Sequence, residues 1–301
     1  MRRLLAALAA VAVTLVPQFA SAQGTIKIGF IGTFSGQFAD AATQMDNGIK
    51  LYMQKFGDSV AGRKIEILRR DSGGANPDVA KRLAQELVTR DGVDILAGFV
   101  LTPNALSVAD VSAQAKKPMI IMNAGTSIVT TRSDYSLRVS MTLPQLIEPF
   151  GAWVAKQGTK RAFTMVSDYA PGHDVEAAFH RSFKEAGGEI VGQLRMPIAS
   201  SDFSAFVQRA KDANPESIFI FVPAGIQPAA IMKSMAERGV TPDKIKILGQ
   251  GEITDDTALK SAGDAALGVI TSYHYDHNHN SALNREFVKN YRAISGGINP
   301  N

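Results

Sequence analysis

The sequence predicts an α/β protein of two lobes, each a parallel sheet covered on both faces by helices. Two observations carry this expectation. Short, apolar, β-rich runs alternate with stretches of helical period along nearly the whole chain. That alternation breaks near residue 140 and then restarts, and 301 residues are enough for two domains that each bury their own core. With 45% hydrophobic and 20% charged residues the composition is that of an ordinary globular chain. The formal charge of +4 comes from scattered basic residues, so no stripe exists to neutralise phosphates and nucleic acid is not an expected partner. Absence of Cys excludes thiol nucleophiles, iron–sulfur clusters and Cys-ligated zinc, and it suits an oxidising compartment.

The elements follow in order. Thr25–Ile31 is a continuous β-rich run, and Gln37–Phe56 places Ala41, Met45, Ile49, Tyr52, Met53 and Phe56 at helical spacing. Strand Lys64–Arg70, helix Pro77–Arg90, strand Asp94–Phe99, helix Asn104–Lys116 and strand Pro118–Met122 continue the pattern, and Leu137–Val139 is a last short strand. Strands this apolar, joined by amphipathic helices, belong in a parallel sheet with both faces covered. Beyond residue 140 come helix Leu143–Gln157, strand Arg161–Val166, helix Val175–Ala186, strand Glu189–Arg195 and helix Phe203–Ala213. Strand Ser217–Phe221, helix Gln227–Arg238 and strands Lys246–Leu248 and Leu267–Tyr273 complete the second set. The expected division is residues 23–140 for the first lobe and 141–271 for the second, with Tyr273–Asn280 returning to the first lobe and helix Ser281–Ser295 docking there within 272–301.

Residues 1–22 read as a cleavable secretory signal, from a basic start at Arg2 and Arg3 through the apolar run Leu4–Val16 to Ala20-Ser21-Ala22. A bilayer span needs about 20 apolar residues, and this run is shorter. Cleavage removes two Arg and no acid, taking the charge from +4 to +2. No later segment reaches spanning length, so the mature chain is expected to be soluble outside the cytoplasm, without stable membrane insertion. At the other end, the helix followed by Gly296-Gly297 and Pro300 predicts a turn into further chain. Residues 1–301 alone are then expected to leave apolar surface exposed on both lobes.

Signatures of catalysis are absent: the chain has no Gly-x-Ser-x-Gly, no Gly-x-x-x-x-Gly-Lys-Ser/Thr and no His-Glu-x-x-His. The turn GFIGTFSG lacks dinucleotide spacing, but Thr33, Ser35 and Gly36 open a helix, where N–H groups and hydroxyls suit anionic groups as well as simple capping. His274, His277 and His279 with Asp276 offer imidazoles to a metal. They lie in a polar connector with nothing to fix them, so a solvated loop is the favoured reading. No metal or cofactor is expected. Asp255 and Asp256 after Thr254 suit the start of a short helix. Glu252 differs, because it follows a strand and Gly249-Gln250-Gly251 and so stands at the carboxyl edge of a parallel sheet, where open α/β sheets bind ligands. Thr102, Asn123-Ala124-Gly125-Thr126 and Asp168-Tyr169-Ala170-Pro171-Gly172 leave strands in the same way. Each alone is a cap; convergence on one edge makes them a site.

The order of these parts resembles the periplasmic leucine/isoleucine/valine-binding proteins, the solute receptors of ABC importers. The resemblance rests on the leader, IKIGFIGTFSGQFAD, EILRRDSGGANPDVAKRLAQELV, DILAGFV, KKPMIIMNAGT and SDYAPGHD, and covers the mature chain. It implies a periplasmic protein of the two-lobed type I fold with three crossings, closing by a hinge on its ligand and presenting the closed form to a membrane permease. It also implies a ligand carboxylate held by hydroxyls and amides at Thr102, Ala124 and Thr126, an ammonium partner at Glu252, and cleft positions at Tyr169, Ser35 and Phe38. The chain departs from the family in placing Phe99, Val100 and Leu101 before a lone Thr102, and Pro171 where an aromatic often stands. Two ligand bodies follow from the residues. Glu252 suits an aliphatic amino acid, which the resemblance favours, while Phe38, Phe99, Tyr169 and Phe221 suit an aromatic acid, with Phe221 also readable as the buried end of a strand. An enzyme built on the histidine cluster and an extracytoplasmic sensory domain are the readings from other classes.

Overall fold

A computed structural model describes residues 24–198 and 200–301; the expected leader lies outside them. The first sheet contains β1 (Ile26–Gly32), β2 (Ser59–Val60), β3 (Arg63–Asp71), β4 (Ile95–Gly98), β5 (Met119–Ile121) and β6 (Ser136–Arg138), in the order β2-β3-β1-β4-β5-β6. All neighbours are parallel except β2, a short antiparallel hairpin arm on β3 that the sequence pattern does not signal. The second sheet contains β7 (Arg161–Ser167), β8 (Glu189–Met196), β9 (Ser217–Phe221), β10 (Lys246–Gln250) and β11 (Ile270–Ser272), in the order β11-β10-β9-β7-β8 and parallel throughout. Two parallel sheets flanked by helices are the fold class that strand–helix alternation predicts.

Helices α1 (Ala39–Phe56), α2 (Pro77–Thr89) and α3 (Thr102–Ala115) cover the first sheet. Its main core lies under α2 and α3, where Leu83, Leu87, Leu96, Val108, Met119 and Ile121 are buried together. The second sheet is sandwiched. On one face α4 (Leu143–Lys156) and α5 (Ala170–Glu185) bury Phe150, Phe179, Phe183 and Phe219, with the Phe179 and Phe219 rings stacked. On the other, α6 (Ser204–Asp212) and α7 (Gln227–Glu237) cover Met165, Ile218 and Ile220. Short α8 (Asp256–Ala262) leads to β11, and α9 (Ala282–Ser295) packs against α1. The ridge of α1 and α9 carries exposed Tyr52, Phe56 and Leu283.

Of the boundaries that differ from the sequence expectation, three have a local cause. Helix α5 begins at Ala170, five residues before Val175, because Pro171 in the first turn has no intrahelical N–H to lose. Gly172 then seats the turn directly on the end of β7, where any Cβ would run into the Ser167 carbonyl. Helix α3 likewise starts at Thr102 rather than Asn104, with Pro103 in its first turn. Strand β11 (Ile270–Ser272) is shorter than Leu267–Tyr273 because Leu267 and Gly268 form a turn, with φ 80° at Gly268, before the strand begins.

Candidate functional site

Parallel strands end together, so the turns after β4, β5, β7, β9 and β10 meet along facing edges of the two sheets. Between them lies a cleft of about 460 Å³, the size of a small-ligand site. Val100, Leu101 and Thr102 face it from the first lobe, together with Phe38, Asn123 and Gly125. The second lobe contributes Tyr169, Phe221, Ala224, Gly225 and Glu252. Ser140 and Met141 line it on the chain's first crossing, and Tyr273 and His274 where the chain leaves β11.

At the first-lobe edge Thr102 is the first residue of α3, so its hydroxyl stands at the positive end of the helix dipole. It is 2% exposed and pairs with the Thr126 hydroxyl at 2.8 Å. Thr126 itself stands behind Thr102, out of the cleft wall formed by Asn123 and Gly125. Its carbonyl and that of Ala124 accept hydrogen bonds from the Arg138 guanidinium, which fixes the turn from below. The N-terminus of α5 faces the cleft from the second lobe, with Tyr169 and Pro171 in the wall. Two helix N-termini from opposite lobes therefore favour a negative ligand group, although no Lys or Arg is among the described residues lining the cleft.

The opposite wall is aromatic and acidic. Tyr169 stacks on Phe221, with ring centroids 6.2 Å apart and planes 20° from parallel. Burial pushes the Tyr169 phenol well above its ordinary range, and the charge of Glu252 adds to this; Tyr273 is raised by the same causes. Both are neutral hydroxyls at any physiological pH. The Gln250 side chain accepts the Glu252 N–H at 2.9 Å and so sets the turn that carries Glu252. Among the described residues the Glu252 carboxylate accepts a single hydrogen bond, from the Ala224 N–H at 3.2 Å. Burial raises it from 4.5 to about 7 against that bond, and nearby Asp255 pushes in the same direction as burial. Asp255 is engaged in capping α8 through the Ala258 N–H, as the sequence pattern implies.

Of the residues singled out from sequence, the structure brings Phe38, Thr102, Tyr169 and Glu252 to the cleft wall. Phe99 is a correction. It adopts φ 70° and is 1% exposed among Leu96, Val108 and Ile121, so the chain turns its ring back under the sheet instead of out at the strand exit. Ala124 is buried, and its N–H already donates to the Phe99 carbonyl, leaving no amide there for a ligand. Ser35 lies outside the cleft wall, and its turn is filled internally: Asp71 accepts the Phe34 and Gly73 N–H groups at 2.8 Å each. Burial opposes ionisation of Asp71, but bonds from Ser35, Gly73 and Phe34 hold it below the usual carboxylate range. Phe221 combines both sequence readings, being 2% exposed and lining the cleft.

Sequence reasoning missed Tyr273, Ser140 and the 223–225 turn as cleft residues; the last follows β9 and the strand-exit rule would have found it. The histidine connector holds no metal cluster among the described residues: His274 turns into the cleft with its imidazole lowered by burial, while His277 meets Asn299. No described helix is long and apolar enough to cross a membrane.

A family model described as periplasmic binding protein matches residues 25–301. The Leu/Ile/Val-binding protein homolog 6 of Brucella melitensis is 40% identical over 290 residues, covering 96% of this chain and 74% of the relative. Among solved structures, an ABC-transporter solute-binding protein of Rhodopseudomonas palustris BisB5, in complex with 3,4-dihydroxybenzoic acid, is 49% identical with a TM-score of 0.86, over 91% of this chain and 75% of that one. Another solute-binding protein of R. palustris, in complex with 4-hydroxybenzoate, is 36% identical with a TM-score of 0.87, over 89% and 73%. Two parallel-sheet lobes facing each other across a cleft at their strand exits, and a match along nearly every described residue, place this chain in the periplasmic binding protein family.

Proposed function

We propose that the chain is the extracytoplasmic solute-binding component of an ABC importer, and that it acts by closing on a small carboxylate rather than by catalysis. The observation that carries this is the pairing, across one cleft, of the Thr102 hydroxyl at the α3 N-terminus with the Tyr169–Phe221 stack and Glu252. A ligand carboxylate belongs at Thr102 and the two helix N-termini, where hydroxyls and N–H groups stabilise an anion in a closed, dry site. The ligand body then lies against the aromatic wall. Its far end meets Glu252, whose carboxyl is pushed by burial up to about 7.

A hydroxylated aromatic acid suits that order of groups, with its phenol beside Glu252, and the two R. palustris relatives carry such acids. An aliphatic amino acid is the second reading, supported by the same residue: among the described residues no Lys or Arg lines the cleft beside Glu252, and an ammonium supplies a cation. Titration calorimetry of 4-hydroxybenzoate, 3,4-dihydroxybenzoate, leucine and valine against the purified protein tests this. Saturable binding of at least one, without turnover, is expected. Binding of none, or conversion of any bound compound, overturns the receptor reading.

A further inference from the structure

Outside the cleft wall the two lobes are joined by a contact that no ligand-binding role explains. Asp174, in the second turn of α5 in the second lobe, accepts two hydrogen bonds from Ser127 of the first lobe. The Ser127 N–H donates at 2.9 Å to one carboxylate oxygen and its hydroxyl at 3.0 Å to the other. We propose that Asp174 is a closure latch, a positioning residue that docks on the Ser127 turn when the lobes close and thereby holds in place the turn whose Thr126 backs Thr102.

The two donors converge on one carboxylate, so the contact fixes both the distance and the rotation of one lobe on the other. Hydrogen bonds weaken steeply beyond about 3.5 Å, so a hinge opening of a few ångströms breaks both together. Ser127 directly follows Thr126, whose hydroxyl meets Thr102 and whose carbonyl is held by Arg138. The charge of Asp174 also reaches Arg138, favouring a guanidinium that burial disfavours. Arg138 thus holds the turn from inside the first lobe and Asp174 from across the cleft. A second approach occurs at a separate pair of turns: a Cβ on Gly225 of the second lobe would come within 2.5 Å of the Gln37 carbonyl of the first. Neither Ser127 nor Asp174 lines the cleft. Whatever the latch contributes therefore acts on the open–closed equilibrium, and it raises apparent affinity by the factor through which it enriches the closed form.

The inference rests on reading the cleft as a closing solute site, and its test separates the two. Because the chain has no Cys, Gln85→Cys on α2 and Lys184→Cys on α5, both exposed, accept spin labels that report the distance between the lobes. Asp174→Ala, Asp174→Asn, Ser127→Ala and the Ser127→Ala/Asp174→Ala pair are measured for label distance with and without 4-hydroxybenzoate or leucine, and for affinity. Asp174→Ala is expected to shift the labels toward longer distances and to weaken binding about tenfold, with Asp174→Asn between it and the parent. The circular dichroism of the unliganded variants should stay that of the parent, and adding Ser127→Ala to Asp174→Ala should cost nothing more. Unchanged distances and affinity in Asp174→Ala, or losses that multiply in full in the double variant, overturn the latch. If the parent binds neither ligand, the receptor reading fails on its own, and the label distances of the unliganded variants still decide the latch.

Discussion

Replacing Glu252 by Gln tests the electrostatics of the cleft without altering its shape. The amide keeps an oxygen for the Ala224 N–H and removes only the charge. In the folded protein Glu252 is raised by burial from 4.5 to about 7. The sign follows from linkage. Below pH 4.5 the side chain is protonated in both folded and unfolded chains, and Glu and Gln are equivalent. Between 4.5 and 7 the unfolded chain releases the proton while the folded chain keeps it, so stability falls as pH rises; above 7 the loss is complete. A shift of this size corresponds to about 3 kcal/mol, and about 2 kcal/mol once partial access of water to the cleft is allowed for. At a few degrees per kcal/mol, Glu252→Gln should melt roughly 5 °C above the parent at pH 8 and level with it at pH 4.5. Differential scanning calorimetry at half-unit pH steps reads this directly. Parallel melting curves across the range would refute the claim that an unpaired carboxylate is buried there.

The same ionisation gives ligand affinity a pH dependence of opposite sign for the two ligand bodies: from pH 6 to 8, calorimetric affinity should fall for 4-hydroxybenzoate, which meets a second anion, and rise for leucine, whose ammonium gains a partner. Thr102→Val removes one hydroxyl of a buried pair, so it should weaken carboxylate binding about tenfold and cost about 1–2 kcal/mol in urea unfolding, because the Thr126 hydroxyl is left without its partner. Tyr169→Leu breaks the stack on Phe221, and competition binding should then show the preference for aromatic over aliphatic acids reduced by several-fold. Gly225→Ala sets a side chain at φ 108° against the Gln37 carbonyl, so X-ray scattering with saturating ligand should show incomplete closure and calorimetry a loss of at least tenfold in affinity.

The architecture was legible because its signals are local. Apolar runs such as Ser217–Phe221 and periodic stretches such as Pro77–Arg90 declare strand or helix from their own residues, and alternation of the two leaves a parallel sheet as the arrangement that buries both faces. What misled was residue type read without its neighbours. Pro171 and Gly172 look like a loop, yet Pro suits the first turn of α5 and the glycine lets that turn rest on the Ser167 carbonyl. No pattern in the sequence marks that close approach, and the error moved the helix N-terminus out of the cleft it faces.

The site divides along the same line. Thr102, Tyr169 and Glu252 could be chosen without coordinates because strand exits of a parallel sheet share one edge, so position along the chain implies position in space. Direction is a separate matter. Phe99 and Ala124 leave the correct strands, but φ 70° at Phe99 swings its ring into the core, and its carbonyl then captures the Ala124 N–H. A single backbone rotation thus removes two candidates at once. Ser127 and Asp174 lie at the other extreme: 47 residues apart on different lobes, each reads alone as an ordinary polar surface residue. Their meaning depends on how two independently formed sheets meet, a relation set by the crossings between them. On the proposal that the lobes close on a ligand, the residues that line the cleft are therefore more legible in the sequence than the residues that would govern closure.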